Sequence, residues 1–105
     1  MNQLIFPPKN VGETIPLIVS FADRLQPGEG INGAVVTASV YSGTDNNPSA
    51  LISGTATYDA FGNATQVITG GVAGVVYTLV YLITGTNSHN YIKVGQLAIL
   101  SSSPY

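Results

Sequence analysis

Two stretches of the chain alternate apolar and hydroxyl-bearing residues with period two, and they set the expected architecture. Within Gly28–Gly43, Val36, Ala38 and Val40 fall on one side while Thr37, Ser39 and Tyr41 fall on the other. That is the signature of a pleated strand with one face on a core. From Glu13 to Phe21, the residues Ile15, Leu17, Val19 and Phe21 share one side, and Thr14, Pro16, Ile18 and Ser20 share the opposite one. Pro16 has no N–H to give a ladder, so this strand is expected at a sheet edge or at a bulge. Leu51–Tyr58 and Ala64–Thr69 read as a hairpin, joined by Asp59-Ala60-Phe61-Gly62-Asn63, where Gly and Asn tolerate positive φ. The segment Val75–Ile83 is apolar on both faces, as fits a central strand with neighbours on either side or a partner over its outer face. Tyr91–Leu100 supplies the last strand. Tyr77 stands near the start of the penultimate one, where a sandwich places a tyrosine whose hydroxyl bonds back to the backbone.

No segment has a helical period. Short strands, about seven in number and separated by Gly, Pro, Asn and Asp turns, give an all-β fold: an immunoglobulin-like antiparallel β-sandwich. A length of 105 residues fits a single domain. The expected division is an N-terminal arm over residues 1–10, a sandwich over 11–100 and a short tail over 101–105. In the arm, Leu4, Ile5 and Phe6 are suited to pairing at a sheet edge or to docking on a partner, and Pro7-Pro8 forces an extended exit.

Composition changes the picture at the surface. Charged residues make up only 8% of the chain, against about 25% in an average soluble domain, and the mean hydropathy is +0.31. Such a chain must cover itself with Thr, Ser, Asn, Gly and exposed apolar atoms, so partners are expected over part of its exterior. Lys9, Arg24 and Lys93 are scattered and the net charge is −2, which argues against nucleic acid as a partner. Without cysteine there is no disulfide framework and no thiolate metal site. The start MNQLIFPPKN reads as neither a signal peptide nor a membrane segment.

Candidate chemistry is sparse, and no catalytic, cofactor-binding or metal-binding residue is expected. The single His89 lies in a Thr/Asn/Ser/Gly loop with no nucleophile elbow to accompany it. Asp45, Asn46 and Asn47 lack the spaced acids of a calcium loop and read as turn residues. The loop Asp23–Asn32 reads as a solvated turn, and Gly28-Glu29-Gly30 has no following helix that would make it a phosphate cradle. A small hydrolase resting on His89 and a nearby carboxylate is the weakest of the readings. Tyr41, Tyr58 and Tyr81 raise the alternative of a glycan-binding face, although aromatics serve protein interfaces equally well.

The residues Asp23, Gln26-Pro27-Gly28-Glu29 leading to Ile31, Ala34–Val40, Ser42-Gly43-Thr44-Asp45, Ile52-Ser53-Gly54, Thr69-Gly70-Gly71, Gly74 and Val76-Tyr77 resemble a group of small immunoglobulin-like virion proteins of tailed bacteriophages. The resemblance spans most of the chain but fits the first ten residues and the last loop less well. It implies a structural role, most simply a capsid decoration or cement protein that binds the major capsid protein or other virion subunits and stabilises the head. It further implies a homo-oligomer, made in the host bacterial cytoplasm and destined for the virion, with no nucleic-acid or membrane partner. The alternative is a tail or head-tail surface protein with a host-receptor or glycan-binding role. The residues expected to dock are Leu4, Ile5, Phe6, Tyr41 and Tyr81.

Overall fold

Eight strands in two sheets account for nearly all the regular structure. The structure, a computed structural model, describes residues 4–101; the ends of the expected arm and tail, residues 1–3 and 102–105, lie outside that range. The strands are β1 (Leu4–Ile5), β2 (Lys9–Asn10), β3 (Thr14–Ser20), β4 (Ile31–Ser42), β5 (Ile52–Tyr58), β6 (Asn63–Thr69), β7 (Val76–Gly85) and β8 (Asn90–Leu100), with a single 3-10 turn at Pro48–Leu51. One sheet runs β1-β8-β7-β4 with β2 also on β8, and the other runs β3-β6-β5. The pairs β3·β6, β5·β6, β4·β7 and β7·β8 are antiparallel, whereas β1 and β2 lie parallel to β8. Counting β1 and β2 as one strand broken at Pro7-Pro8 gives seven strand positions. With β4, β7 and β8 on one sheet and β3, β6 and β5 on the other, the order is that of an immunoglobulin-like sandwich.

The period-two pattern decides what goes inside. Leu17, Val19 and Phe21 from β3 and its exit meet Ala64 and Ile68 from β6 and Tyr77, Leu79, Tyr81 and Ile83 from β7, all buried, in one continuous core. Nine such side chains, the larger ones each worth about 1.5–3 kcal/mol on full burial, outweigh any preference of a single turn. Pro16 sits on β3, which pairs only with β6 and is therefore an edge, so the missing N–H costs no ladder bond on the open side. β7 lies between β4 and β8, as its two apolar faces require. Gly62 turns the β5–β6 hairpin at φ +88°, and Asp59 Oδ1 accepts the N–H groups of Phe61 and Asn63. The Tyr77 hydroxyl accepts from the Val72 N–H at 2.9 Å and donates to Asp45 Oδ2 at 2.6 Å, locking two loops to the strand they flank.

Three features depart from the sequence expectations. The segment Leu4–Asn10 pairs at the sheet edge, on β8, but Phe6, expected to dock on a partner, is in the core, with its ring 6.2 Å from that of Tyr81. Room for that ring exists because position 95 is glycine: a Cβ there would stand 2.5 Å from Phe6 Cε2. Lys9 is fully buried, and its ammonium donates to the carbonyls of Asn10 (2.8 Å) and Gly70 (2.7 Å), joining the first sheet to the end of β6. Burial pushes its pKa down from the ordinary lysine value. Glu29, placed by sequence in a solvated turn, has a side chain with no exposed surface.

Candidate docking surface

The eight formal charges are Lys9, Glu13, Asp23, Arg24, Glu29, Asp45, Asp59 and Lys93, and every one is engaged inside the chain. Glu13 Oε1 accepts from the Asn10 N–H, and Lys93 pairs with Asp23 at 2.7 Å and donates to the Ser20 carbonyl. The Arg24 guanidinium lies 5.6 Å over the Tyr91 ring. Asp45 and Asp59 are held by turn N–H groups and by Tyr77 and Asn63 respectively. Those bonds favour the ionised form and keep both carboxyls below the ordinary carboxylate range, the Tyr77 hydroxyl leading for Asp45 and the Asn63 N–H for Asp59.

Because the charges sit in turns or face inward, neither broad outer face of the sandwich carries one. On the β8 sheet, period-two alternation directs Val35 of β4, Val80 and Leu82 of β7, and Ile92 and Val94 of β8 away from the core. The register makes these neighbours: Val35 faces Leu82, Leu82 faces Ile92, and Val80 faces Val94. The other outer face is hydroxyl-rich, with Thr14 and Thr69 hydroxyls bonded at 2.9 Å and Pro16, Ile18 and Val67 as its apolar members.

The residues expected to dock divide. Ile5 is 75% exposed, Tyr41 63% and Leu4 37%. Phe6 and Tyr81 are core residues that present no surface to a partner. Tyr81 is 1% exposed, and its hydroxyl donates to the Leu17 carbonyl across the gap between sheets. No protein-family model, no curated protein and no solved structure matches the chain. The assignment of a site therefore rests on the chain's own residues.

One polar cluster lies at the end of the sandwich. Glu29 Oε1 accepts from the Gln26 N–H and from the Tyr91 hydroxyl, each at 2.9 Å. Its Oε2 is buried, 3.6 Å from His89 Nδ1. The Gln26 bond, ahead of the others, holds the Glu29 carboxyl below its ordinary value. Gly85 leaves the space in which that carboxylate packs, since a Cβ there would collide with it. The cluster ties the β3–β4 loop to the β7–β8 hairpin. A shallow cavity beside it is lined by Leu25, Gln26, Pro27, Glu29 and Phe61. Among the described residues no group of three or more His, Cys, Asp or Glu is placed to hold a metal ion. Sequence reasoning missed Glu29 because the signal lies in space, at Gly85 and Tyr91 far along the chain.

Proposed function

We propose that this chain is a structural protein of a tailed-bacteriophage virion, a capsid decoration or cement protein that adheres to the shell and does no covalent chemistry. One observation carries the reading: the eight charges sit in turns or face inward, and both broad sheet faces are left uncharged, one bearing an apolar patch and the other hydroxyl-rich. Surfaces of that kind are covered in an assembly more readily than in free solution. On a symmetric shell many modest contacts act together, so the array holds firmly although each copy is weakly bound.

Attachment of this kind draws little on ion pairs. The test is the copy number of the protein in purified virions, measured by mass spectrometry against the major capsid protein. A stoichiometric, shell-like ratio is expected, together with heads that resist heat and osmotic shock less well when the gene is deleted. Recovery only as free protein would sink the proposal, and a handful of copies per particle would move it to the tail or a vertex. The glycan-binding alternative rested on Tyr41, Tyr58 and Tyr81, of which Tyr41 and Tyr58 are exposed and Tyr81 is buried.

A further inference from the structure

His89, the only histidine of the chain, turns its Nδ1 toward two oxygen atoms, the Tyr91 hydroxyl at 3.4 Å and Glu29 Oε2 at 3.6 Å. The hydroxyl has a single proton and gives it to Glu29 Oε1 at 2.9 Å. Neither oxygen has a proton left for His89, so Nδ1 must itself carry one. Glu29 Oε2 is the one buried side-chain atom among the described residues that lacks a hydrogen-bond partner, and an orphan acceptor of that kind favours the nearest donor. We propose that His89 is a proton-operated latch: its neutral ring keeps its proton on Nδ1, toward Glu29, and a second proton on Nε2 turns the contact into an ion pair that closes the β7–β8 hairpin onto the β3–β4 loop.

The surroundings fit that assignment. The backbone presents the ring, since the Gly85 N–H donates to the His89 carbonyl at 2.7 Å and Ser88 takes a left-handed φ of +66°. The His89 side chain is 59% exposed, so protons reach it from solvent, whereas the Glu29 side chain has no exposed surface. Glu29 reaches the ring from the β3–β4 loop, and Tyr91 from β8, edge-on with ring centres 6.3 Å apart. The Arg24 guanidinium lies 5.6 Å over the Tyr91 ring. The Gln26 N–H above all, then the Tyr91 hydroxyl, His89 and the Asn87 N–H, favour the Glu29 carboxylate, which is therefore ionised throughout the range in which imidazoles titrate. Coupling of this kind is mutual: a carboxylate favoured by the imidazolium favours it in return. The latch is engaged in mild acid and slackens as pH rises through the imidazole titration.

The latch is a property of the free chain and does not rest on the virion reading. With one histidine present, long-range proton–nitrogen NMR of the labelled protein reads both ring nitrogens without ambiguity. Above the titration the proton is expected on Nδ1, the form that a free histidine side chain populates less. Glu29→Gln keeps the shape and removes the charge, and it should weaken uptake of the second proton by roughly threefold or more. By linkage, protection of the β7–β8 hairpin amides from hydrogen exchange, taken relative to intrinsic rates, should rise by a similar factor from about pH 8 to about pH 5 in the natural chain and stay level in Glu29→Gln. A neutral ring with its proton on Nε2 overturns the inference, and that result needs no variant to fold. So does a His89 titration that Glu29→Gln leaves in place, or hairpin protection that does not follow the titration.

Discussion

Replacing Gly95 by Ala should damage this protein only as long as Phe6 is present. A Cβ at position 95 would stand 2.5 Å from Phe6 Cε2 and 2.9 Å from Cζ, far inside van der Waals contact, whereas Leu4 Cβ at 3.2 Å needs to give only slightly. The ring must therefore leave its place against Tyr81, and the cost is the burial it loses. Phe6 is 9% exposed, and full burial of a side chain of that size contributes about 1.5–3 kcal/mol. Gly95→Ala should thus destabilise by about 2–3 kcal/mol, and Phe6→Ala by about 3 kcal/mol, the low end for such truncations. With Phe6 already removed, the clash is gone and alanine is favoured over glycine in a strand by about 0.5–1 kcal/mol. The double variant should therefore be no less stable than Phe6→Ala alone, a coupling of about 2 kcal/mol or more. Equilibrium urea unfolding of the four proteins measures it, with independent sites adding to within about 0.5 kcal/mol. Additive losses would refute the placement of Phe6 over Gly95, and with it the reading of residues 4–10 as part of the sheet.

Four other outcomes follow from contacts described above. Tyr81→Phe removes the hydroxyl donated to the Leu17 carbonyl and should cost about 0.5–1.5 kcal/mol in chemical denaturation, leaving the fold intact by circular dichroism. Lys9→Ala should destabilise more than Lys9→Met, because the methionine keeps the buried stem while both lose the ammonium held by Asn10 and Gly70; equal melting temperatures would contradict this. Asp23, Glu29, Asp45 and Asp59 all have pKa values depressed on folding, so their contribution is present above the unfolded values near about 4 and is lost as pH falls through the lower folded ones. Urea midpoints should hold steady near neutrality and drop below about pH 4, less so in Asp45→Asn. Attachment to virions, resting on uncharged faces, should survive an increase to molar salt that screens ion pairs, as gradient sedimentation of salt-washed particles would show.

Alternation and turn chemistry made much of the fold legible. Pro16 announced an edge, Val75–Ile83 a central strand, Asp59–Asn63 a hairpin and Tyr77 a corner, each because the cause is local or repeats every second residue. What stayed hidden depends on residues distant in the chain. Nothing beside Phe6 reveals that Gly95 opens a socket for it, nothing beside Glu29 reveals Gly85 and Tyr91, and nothing beside Lys9 reveals the Gly70 carbonyl. Tyr81 looked like surface because hydroxyl-bearing aromatics suit interfaces; the Leu17 carbonyl, which only the second sheet provides, makes it core. The docking face was half visible. The double-sided apolarity of β7 pointed to it, but the matching rows on β4 and β8 emerge only with the register.

The pairing of Leu4–Asn10 with Gly95–Leu100 joins segments far apart in the chain. A chain growing on the ribosome cannot complete this sheet until β8 has been made, since β8 receives β1 and β2. Until then the socket at Gly95 does not exist, and the slow closure of so long a loop falls late in folding. The β8 sheet is thus finished in one late step, and its outer face becomes continuous only when β1 and β2 have joined it.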